Sequence, residues 1–176
     1  MQIYNFYLFN RHGNCLFYRE WQRSRAGTDS QQEQQNLVGL LFAIKQLCVS
    51  VAPVNDDSLP RGTRARHMPL GPSNFRNYTT AKYQLHYFES STGLRFVLTT
   101  SPNAGDLTRL LQRIYKEAYV ECAVRNPMYR LGSAIVSDTF RKRVDSVVRS
   151  LAVETNVLRP APDGQGGSAR SSTKSL

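Results

Sequence analysis

Residues 3–9 read IYNFYLF, and this segment is apolar on both faces of the strand that it predicts. Side chains alternate from one face of a strand to the other, so each face can be considered separately. One face carries Tyr7 and Phe9, and the other carries Phe6 and Leu8. A strand with two apolar faces must be covered on both sides, which predicts a central strand of a sheet rather than an edge.

The spacing of apolar residues predicts the remaining elements. A turn at residues 10–14 and a return strand at 15–18 predict a β-hairpin. A helical stripe then predicts a long helix that faces the sheet through Leu37, Leu40, Leu41, Ile44, Cys48 and Val51. Three short strand patterns between residues 78 and 98 precede two further helical stripes, at 107–122 and 140–151. The order β-β-α-β-β-β-α-α predicts an α+β fold in which helices cover an antiparallel sheet.

Two segments lack any regular apolar spacing. Residues 55–76 are rich in proline, glycine and arginine, and residues 154–176 end in PAPDGQGGSARSSTKSL. Neither segment can bury enough apolar surface to offset the entropy cost of ordering, so both are predicted to be disordered. We therefore predict one domain over residues 1–153, with a basic insert at 55–76 and a C-terminal tail at 154–176.

The formal net charge of +10 favours a polyanionic partner, whether nucleic acid, an anionic membrane or an acidic protein surface. No apolar run approaches the roughly 20 residues that span a bilayer, and the amino terminus lacks the pattern of a signal peptide. The three cysteines lie far apart without a CxxC spacing, which argues against a zinc site or a disulfide framework. This cysteine usage indicates a reducing cytosol.

The candidate catalytic side chains are isolated from one another in the sequence. His12, His67 and His86 fall on a turn, in the insert and on a strand, while the cysteines fall on apolar faces. The signatures of phosphate-binding loops and of the hydrolase nucleophile elbow do not occur. We therefore predict a protein that is not an enzyme by itself, with no catalytic residue, no cofactor and no metal.

Five segments in order resemble a known family. They are Tyr4–Trp21 (YNFYLFNRHGNCLFYREW), Gly39–Lys45 (GLLFAIK), Tyr83–Thr100 (YQLHYFESSTGLRFVLTT), Ile114–Gly132 (IYKEAYVECAVRNPMYRLG) and Phe140–Leu151 (FRKRVDSVVRSL). Together they resemble the small longin-type subunits of TRAPP, the transport protein particle, and they cover most of the residues predicted to fold. The insert and the tail depart from the family pattern without interrupting a matched segment.

The resemblance implies a longin-like (profilin-like) domain that serves as a structural core subunit of TRAPP. TRAPP cores act as guanine-nucleotide exchange factors for a Rab-family GTPase in vesicle transport between the endoplasmic reticulum and the Golgi. The implied partners are a second longin-type subunit, α/β-type TRAPP subunits and, through the assembled complex, the GTPase. The implied location is cytoplasmic, at the periphery of Golgi and endoplasmic reticulum membranes.

This role predicts two contact surfaces. Neighbouring subunits are expected to contact Phe17, Trp21 and Tyr87, each of which would alternatively be a core residue. The GTPase-facing surface is expected on the polar side of the first long helix, because the apolar stripe must face the sheet. Its candidates are Gln34, Lys45 and Gln46, which would alternatively be ordinary solvated helix residues.

The last two helices are basic, which predicts either a solvated face or a surface that meets anionic lipid. The residues concerned are Arg109, Arg113, Lys116, Arg141, Lys142, Arg143 and Arg149. On the solvated interpretation, Arg141 and Asp145 form an i,i+4 ion pair.

Two other classes of protein share part of this sequence pattern. A basic, aromatic-rich sheet domain is an alternative nucleic-acid-binding module, but the RNP-type sequence is absent and the β-β-α opening differs from the β-α-β opening of RNA-recognition modules. A SNARE with a longin domain would need a C-terminal coiled coil and an anchor, and residues 152–176 predict neither.

Overall fold

The computed structural model describes residues 1–22, 30–51 and 75–157. Five strands form one antiparallel sheet with the order β2-β1-β5-β4-β3. They are β1 (Ile3–Phe9), β2 (Cys15–Glu20), β3 (Asn77–Thr79), β4 (Gln84–Glu89) and β5 (Arg95–Thr100). Because β1 pairs with β2 on one side and β5 on the other, the prediction of a strand inside the sheet is confirmed.

Helices cover both faces of the sheet. Helix α1 (Ser30–Val51) packs on the face that carries Tyr7 and Phe9. Helix α2 (Thr108–Arg113) continues as a π-helical segment, Ile114–Val124, and α3 (Asp138–Val157) packs beside it on the opposite face. This arrangement is the predicted α+β fold, with the strands and helices in the predicted order.

The larger core lies between the sheet and the pair α2 and α3. Phe96 of β5 is fully buried there, with ring centroids 6.3 Å from Phe6 and 5.8 Å from Tyr115. Phe140 of α3 meets Phe17 of β2 edge-on at a centroid distance of 4.8 Å. These aromatic contacts connect three strands to the π-helical segment and to α3, so this half of the domain forms a single packed unit.

Helix α1 has a much smaller buried face than its sequence predicts. Leu41 is buried among Tyr7, Phe9 and their neighbours, while Leu37, Leu40 and Ile44 are only half-buried. Cys48 and Val51, which were predicted to face the sheet, are exposed. The buried side of α1 therefore centres on Leu41, which belongs to the predicted stripe, and on Lys45, which does not, and the predicted stripe is wrong at Cys48 and Val51.

The hairpin turn approaches α1 closely. Gly13 has a φ of +87°, a backbone conformation that glycine adopts without strain. A β-carbon at this position would lie 2.9 Å from Cγ1 of Val38. Glycine is therefore required here both for the turn and for the contact with α1.

Two described segments lie across the predicted boundaries of the domain. Helix α3 continues to Val157, four residues beyond the predicted end of the domain. Phe75, within the predicted insert, is half-buried and packs on Tyr87 at a ring-centroid distance of 5.2 Å. The rest of the insert before Phe75 and the tail after Val157 lie outside the described residues, so their predicted disorder stays a prediction.

Candidate interaction surfaces

An ionic cluster attaches α1 to the sheet. The Nζ atom of Lys45 lies 2.6 Å from Oε2 of Glu89 at the end of β4. The hydroxyl of Tyr87 donates to the same oxygen at 2.8 Å, and Nε of Arg95 lies 3.8 Å from Oε1. Burial and the neighbouring Glu89 carboxylate raise the pKa of Tyr87, which keeps the phenol protonated as a donor.

Lys45 was predicted to face a GTPase from the polar side of α1, and this prediction is wrong. Only 6% of the residue is exposed, because its ammonium group is directed toward Glu89. The lysine stem covers the sheet while its charge is neutralised. Lys45 therefore positions α1 rather than presenting a surface.

The other two residues predicted to face a GTPase have different surroundings. Gln46 is exposed on the described surface. Gln34 is half-buried and lines a cavity of about 400 Å³ between α1 and the hairpin turn, beside Cys15 and Val38. Of the three residues, only Gln46 is fully available to a partner.

Exposed large apolar side chains, which the predicted stripe did not assign to the surface, lie on two flanks of α1. We call this set the outer patch, and its members are Phe42, Leu47, Val49 and Val51. Phe42 and Val49 are seven residues apart, and Leu47 and Val51 are four apart, so each pair shares one flank of the helix. The available signal was the presence of Phe42, Leu47 and Val49 outside the predicted apolar stripe.

The predicted subunit contacts on the sheet are mostly core residues. Phe17 and Tyr87 are buried on opposite faces of the sheet, which confirms the alternative that each belongs to the core. Trp21 is half-buried, and its indole nitrogen donates to Oδ1 of Asp145 at 2.9 Å. Trp21 alone therefore keeps some surface for a partner.

Asp145 connects the edge strand β2 to α3. Arg19 donates two hydrogen bonds to this carboxylate, from Nε to Oδ1 at 3.1 Å and from Nη2 to Oδ2 at 2.9 Å. The predicted pair between Arg141 and Asp145 is therefore wrong, and Arg141 instead lies 3.7 Å from Asp138. The bidentate ion pair between Arg19 and Asp145 is stronger than an exposed ion pair between Arg141 and Asp145 along one helix would be.

The predicted basic residues of α2 and α3 form a partly compensated surface. Arg113 and Arg143 both reach Glu117, at 3.1 Å and 3.6 Å, which links the two helices through one carboxylate. The exposed basic residues of this surface are Arg109, Lys116, Arg141, Lys142, Arg143 and Arg149. The described residues therefore keep a basic outer face here, and Glu117 pairs with two of its arginines.

The aromatic residues of the central strand β1, which contributed to the nucleic-acid alternative, lie inside the protein. Phe6, Tyr7 and Phe9 of β1 are each buried under one of the two helical layers. Bases stack on exposed rings. These rings are therefore not available as a stacking platform, and the nucleic-acid alternative loses the feature that motivated it.

The described residues contain neither an activated thiol at Cys15 nor a cluster of metal ligands. Burial raises the pKa of the Cys15 thiol to about 11, so it remains a thiol at neutral pH. Within residues 1–22, 30–51 and 75–157, no group of three His, Cys, Asp or Glu side chains is arranged to hold a metal ion. In the same ranges, no helix has the length and apolarity needed to cross a membrane.

His86 makes the stability of the domain depend on pH. Its ring is buried on β4 with Nε2 3.0 Å from Oγ1 of Thr100, and Nδ1 has no hydrogen-bond partner. Burial lowers the pKa of His86 to about 4, so protons bind the unfolded chain first as the pH falls below 6.5. The free energy of unfolding should therefore drop by about 2 kcal/mol between pH 7 and pH 5.

Urea unfolding at the two pH values measures this effect. The variant His86→Gln should lose most of the drop, whereas His12→Gln, at an exposed position, should keep it. An unchanged pH dependence in His86→Gln would show that another group is responsible.

The two-layer arrangement of helices around an antiparallel sheet is that of a longin-like domain. The family model described as the Sybindin-like family matches residues 3–151, and the chain belongs to this family. The match spans both helical layers and all five strands.

Named relatives resemble the chain over most of its length. It is 37% identical over 152 residues to trafficking protein particle complex subunit 1 from Homo sapiens, which covers 86% of this chain and 94% of the relative. The same protein from Rattus norvegicus has the same identity and coverage. Transport protein particle subunit bet5 from Schizosaccharomyces pombe is 29% identical over 170 residues, covering 86% and 99%. The resemblance to longin-type TRAPP subunits is confirmed by these matches.

Proposed function

We propose that this chain is a structural subunit of the TRAPP complex. The observation that carries the proposal is its similarity to proteins named as subunits of the trafficking protein particle, over 94% of the length of the human relative. On this proposal the chain works in the cytoplasm at the periphery of Golgi and endoplasmic reticulum membranes. Its role is vesicle transport between these compartments.

Within that complex the chain supplies one part of a composite surface for nucleotide exchange on a Rab-family GTPase. An exchange factor binds the nucleotide-free GTPase more tightly than the loaded form, and this coupling is reciprocal. Such coupling depends on a rigid surface against the GTPase and not on a bond-making side chain. Gln46, which is exposed, and the partly accessible Gln34 are the candidates for this contact.

The outer patch of α1 packs on another TRAPP subunit. Phe42 is 56% exposed, and three further large apolar side chains accompany it on the same helix. Exposed apolar groups that cluster on one element mark protein contacts more often than isolated ones do. The proposed occupant is the second longin-type subunit, with α/β-type subunits completing the core and the remaining surface of Trp21 as a secondary contact.

Affinity purification of the tagged full-length chain from its own cells, followed by mass spectrometry, tests the assembly. Other TRAPP subunits should copurify in near-stoichiometric amounts. Purification of the Trp21→Ala variant should recover the same TRAPP subunits in smaller amounts, because the substitution weakens one secondary subunit contact. Recovery of the chain without any TRAPP subunit would contradict the proposal.

A further inference from the structure

The loop between the π-helical segment and α3, residues 125–137, presents apolar side chains to solvent. Met128 is 90% exposed, Val136 is 83% exposed and Leu131 is 69% exposed. An apolar side chain that is nine-tenths exposed projects from the surface rather than lying in it. We call these three exposed residues the apolar tip of the loop.

The loop is folded, so the tip is held in place. The hydroxyl of Tyr129 donates to the carbonyl of Ser133 at 3.0 Å, and the amide of Ser133 donates to the carbonyl of Arg130 at 3.1 Å. Ile135 is buried, and its amide donates to the carbonyl of Leu16 on the edge strand β2 at 2.7 Å. Because these bonds order the loop in advance, a ligand of the tip does not have to order it.

The chain around the tip carries a net positive charge. Residues 121–143 contain five arginine or lysine side chains and two acidic ones, Glu121 and Asp138, which flank the loop. The loop itself contributes Arg125 and Arg130, both exposed, and Arg125 also reaches Glu121 at 2.6 Å. The first turns of α3 follow directly and add exposed Lys142. The tip is therefore apolar, and the chain on either side of it carries more basic than acidic side chains.

We propose that this loop inserts its apolar tip into the surface of an anionic lipid bilayer. Projecting apolar side chains enter the boundary between headgroups and acyl chains, while arginine and lysine remain among the anionic headgroups. Each basic residue near such a surface strengthens binding about fivefold. A protein partner would have to supply a pocket for each projecting side chain, whereas a bilayer accommodates all three without a specific shape. The proposal stands independently of the assembly proposed above.

Vesicle flotation of the full chain tests this contact, with phosphatidylcholine vesicles that contain or lack phosphatidylserine. The unmodified chain should float with the anionic vesicles and only weakly with the neutral ones. The variant M128E/L131E should bind anionic vesicles at least about tenfold more weakly. The variant M128S/L131S, which adds no charge, should also bind more weakly, because it removes the inserted apolar groups.

The matched control is Y78E/Q35E, which introduces the same charge at two exposed positions outside the loop and outside the outer patch. It should bind the anionic vesicles nearly as well as the unmodified chain. Circular dichroism and thermal melting establish that all variants remain folded.

Undiminished vesicle binding by M128E/L131E and M128S/L131S would overturn the proposal. Equal losses in the control would also do so, since the effect would then be one of net charge. If M128E/L131E lost only its assembly with other chains, the loop would be a protein contact and the proposal would be wrong.

Discussion

The double substitution of Phe42 and Leu47 by aspartate should abolish binding of this chain to the longin-type subunit proposed above as its partner. Each apolar side chain at the centre of a protein contact contributes about 2 kcal/mol, so the pair should weaken binding about a thousandfold. Both side chains are exposed in the isolated domain, so the change should leave its fold intact. Isothermal titration calorimetry with the purified partner measures the loss.

A matched control lies on the same helix. Gln35→Asp introduces the same charge at an exposed polar position and should change the affinity little. Binding that survives in the Phe42 and Leu47 double variant would remove the outer patch from the interface. In that case the subunit contact would have to be sought elsewhere, beginning at Trp21.

Lys45→Ala should lower the free energy of unfolding by about 3 kcal/mol. The substitution leaves the Glu89 carboxylate without its closest cation, and the side chain of Glu89 is only 16% exposed. Arg95, at 3.8 Å, compensates part of the loss and places the expected cost at the lower end for a broken buried pair. Because Leu41 is the apolar residue of α1 that is fully buried, the helix should detach from the sheet before the rest of the domain unfolds.

Chemical denaturation and hydrogen exchange of the α1 amides measure the two parts of this prediction. Gln46→Ala, at the exposed neighbouring position, should cost less than about 0.5 kcal/mol. The double variant Lys45→Met with Glu89→Gln should lose less stability than the sum of the two single changes, since it removes both charges together. An unchanged stability in Lys45→Ala would show that the ion pair does not hold α1.

The sheet, and helices α2 and α3 on the face opposite α1, could be predicted because their sequence patterns are local. Strand alternation in residues 3–9 and the helical stripe of α3 depend only on near neighbours, and both correspond to elements of the structure. The π-helical form of residues 114–124 could not be predicted, because the apolar stripe there fits an ordinary helix equally well. Local spacing determined the type and order of the elements but not this detail of backbone geometry.

The candidate surfaces depend on contacts between distant residues, and there the sequence was a weaker guide. The partner of Lys45 is 44 residues away, and that of Arg19 is 126 residues away. Helical periodicity treats a lysine as solvent-facing, so it placed Lys45 on the wrong side of α1. The stripe also left Phe42, Leu47 and Val49 of the outer patch unassigned, although they are apolar residues that lie outside it.

Because Lys45 is buried, charge reversal at this residue does not test contact with a GTPase. Reversing its charge would break a buried ion pair, so slower nucleotide exchange in that variant would report on folding rather than on contact with a GTPase. Gln46→Glu is the more informative change, since it alters charge at an exposed position of the same helix. It should slow exchange without dissociating the complex.

The most direct test of the proposed role measures release of a fluorescent nucleotide from the Rab-family GTPase by a reconstituted TRAPP core. The complete core should accelerate release, and a core assembled without this chain should not. The chain by itself should also give no acceleration, because it supplies only one part of a composite surface. Full acceleration by a core that lacks this chain would contradict the proposed role.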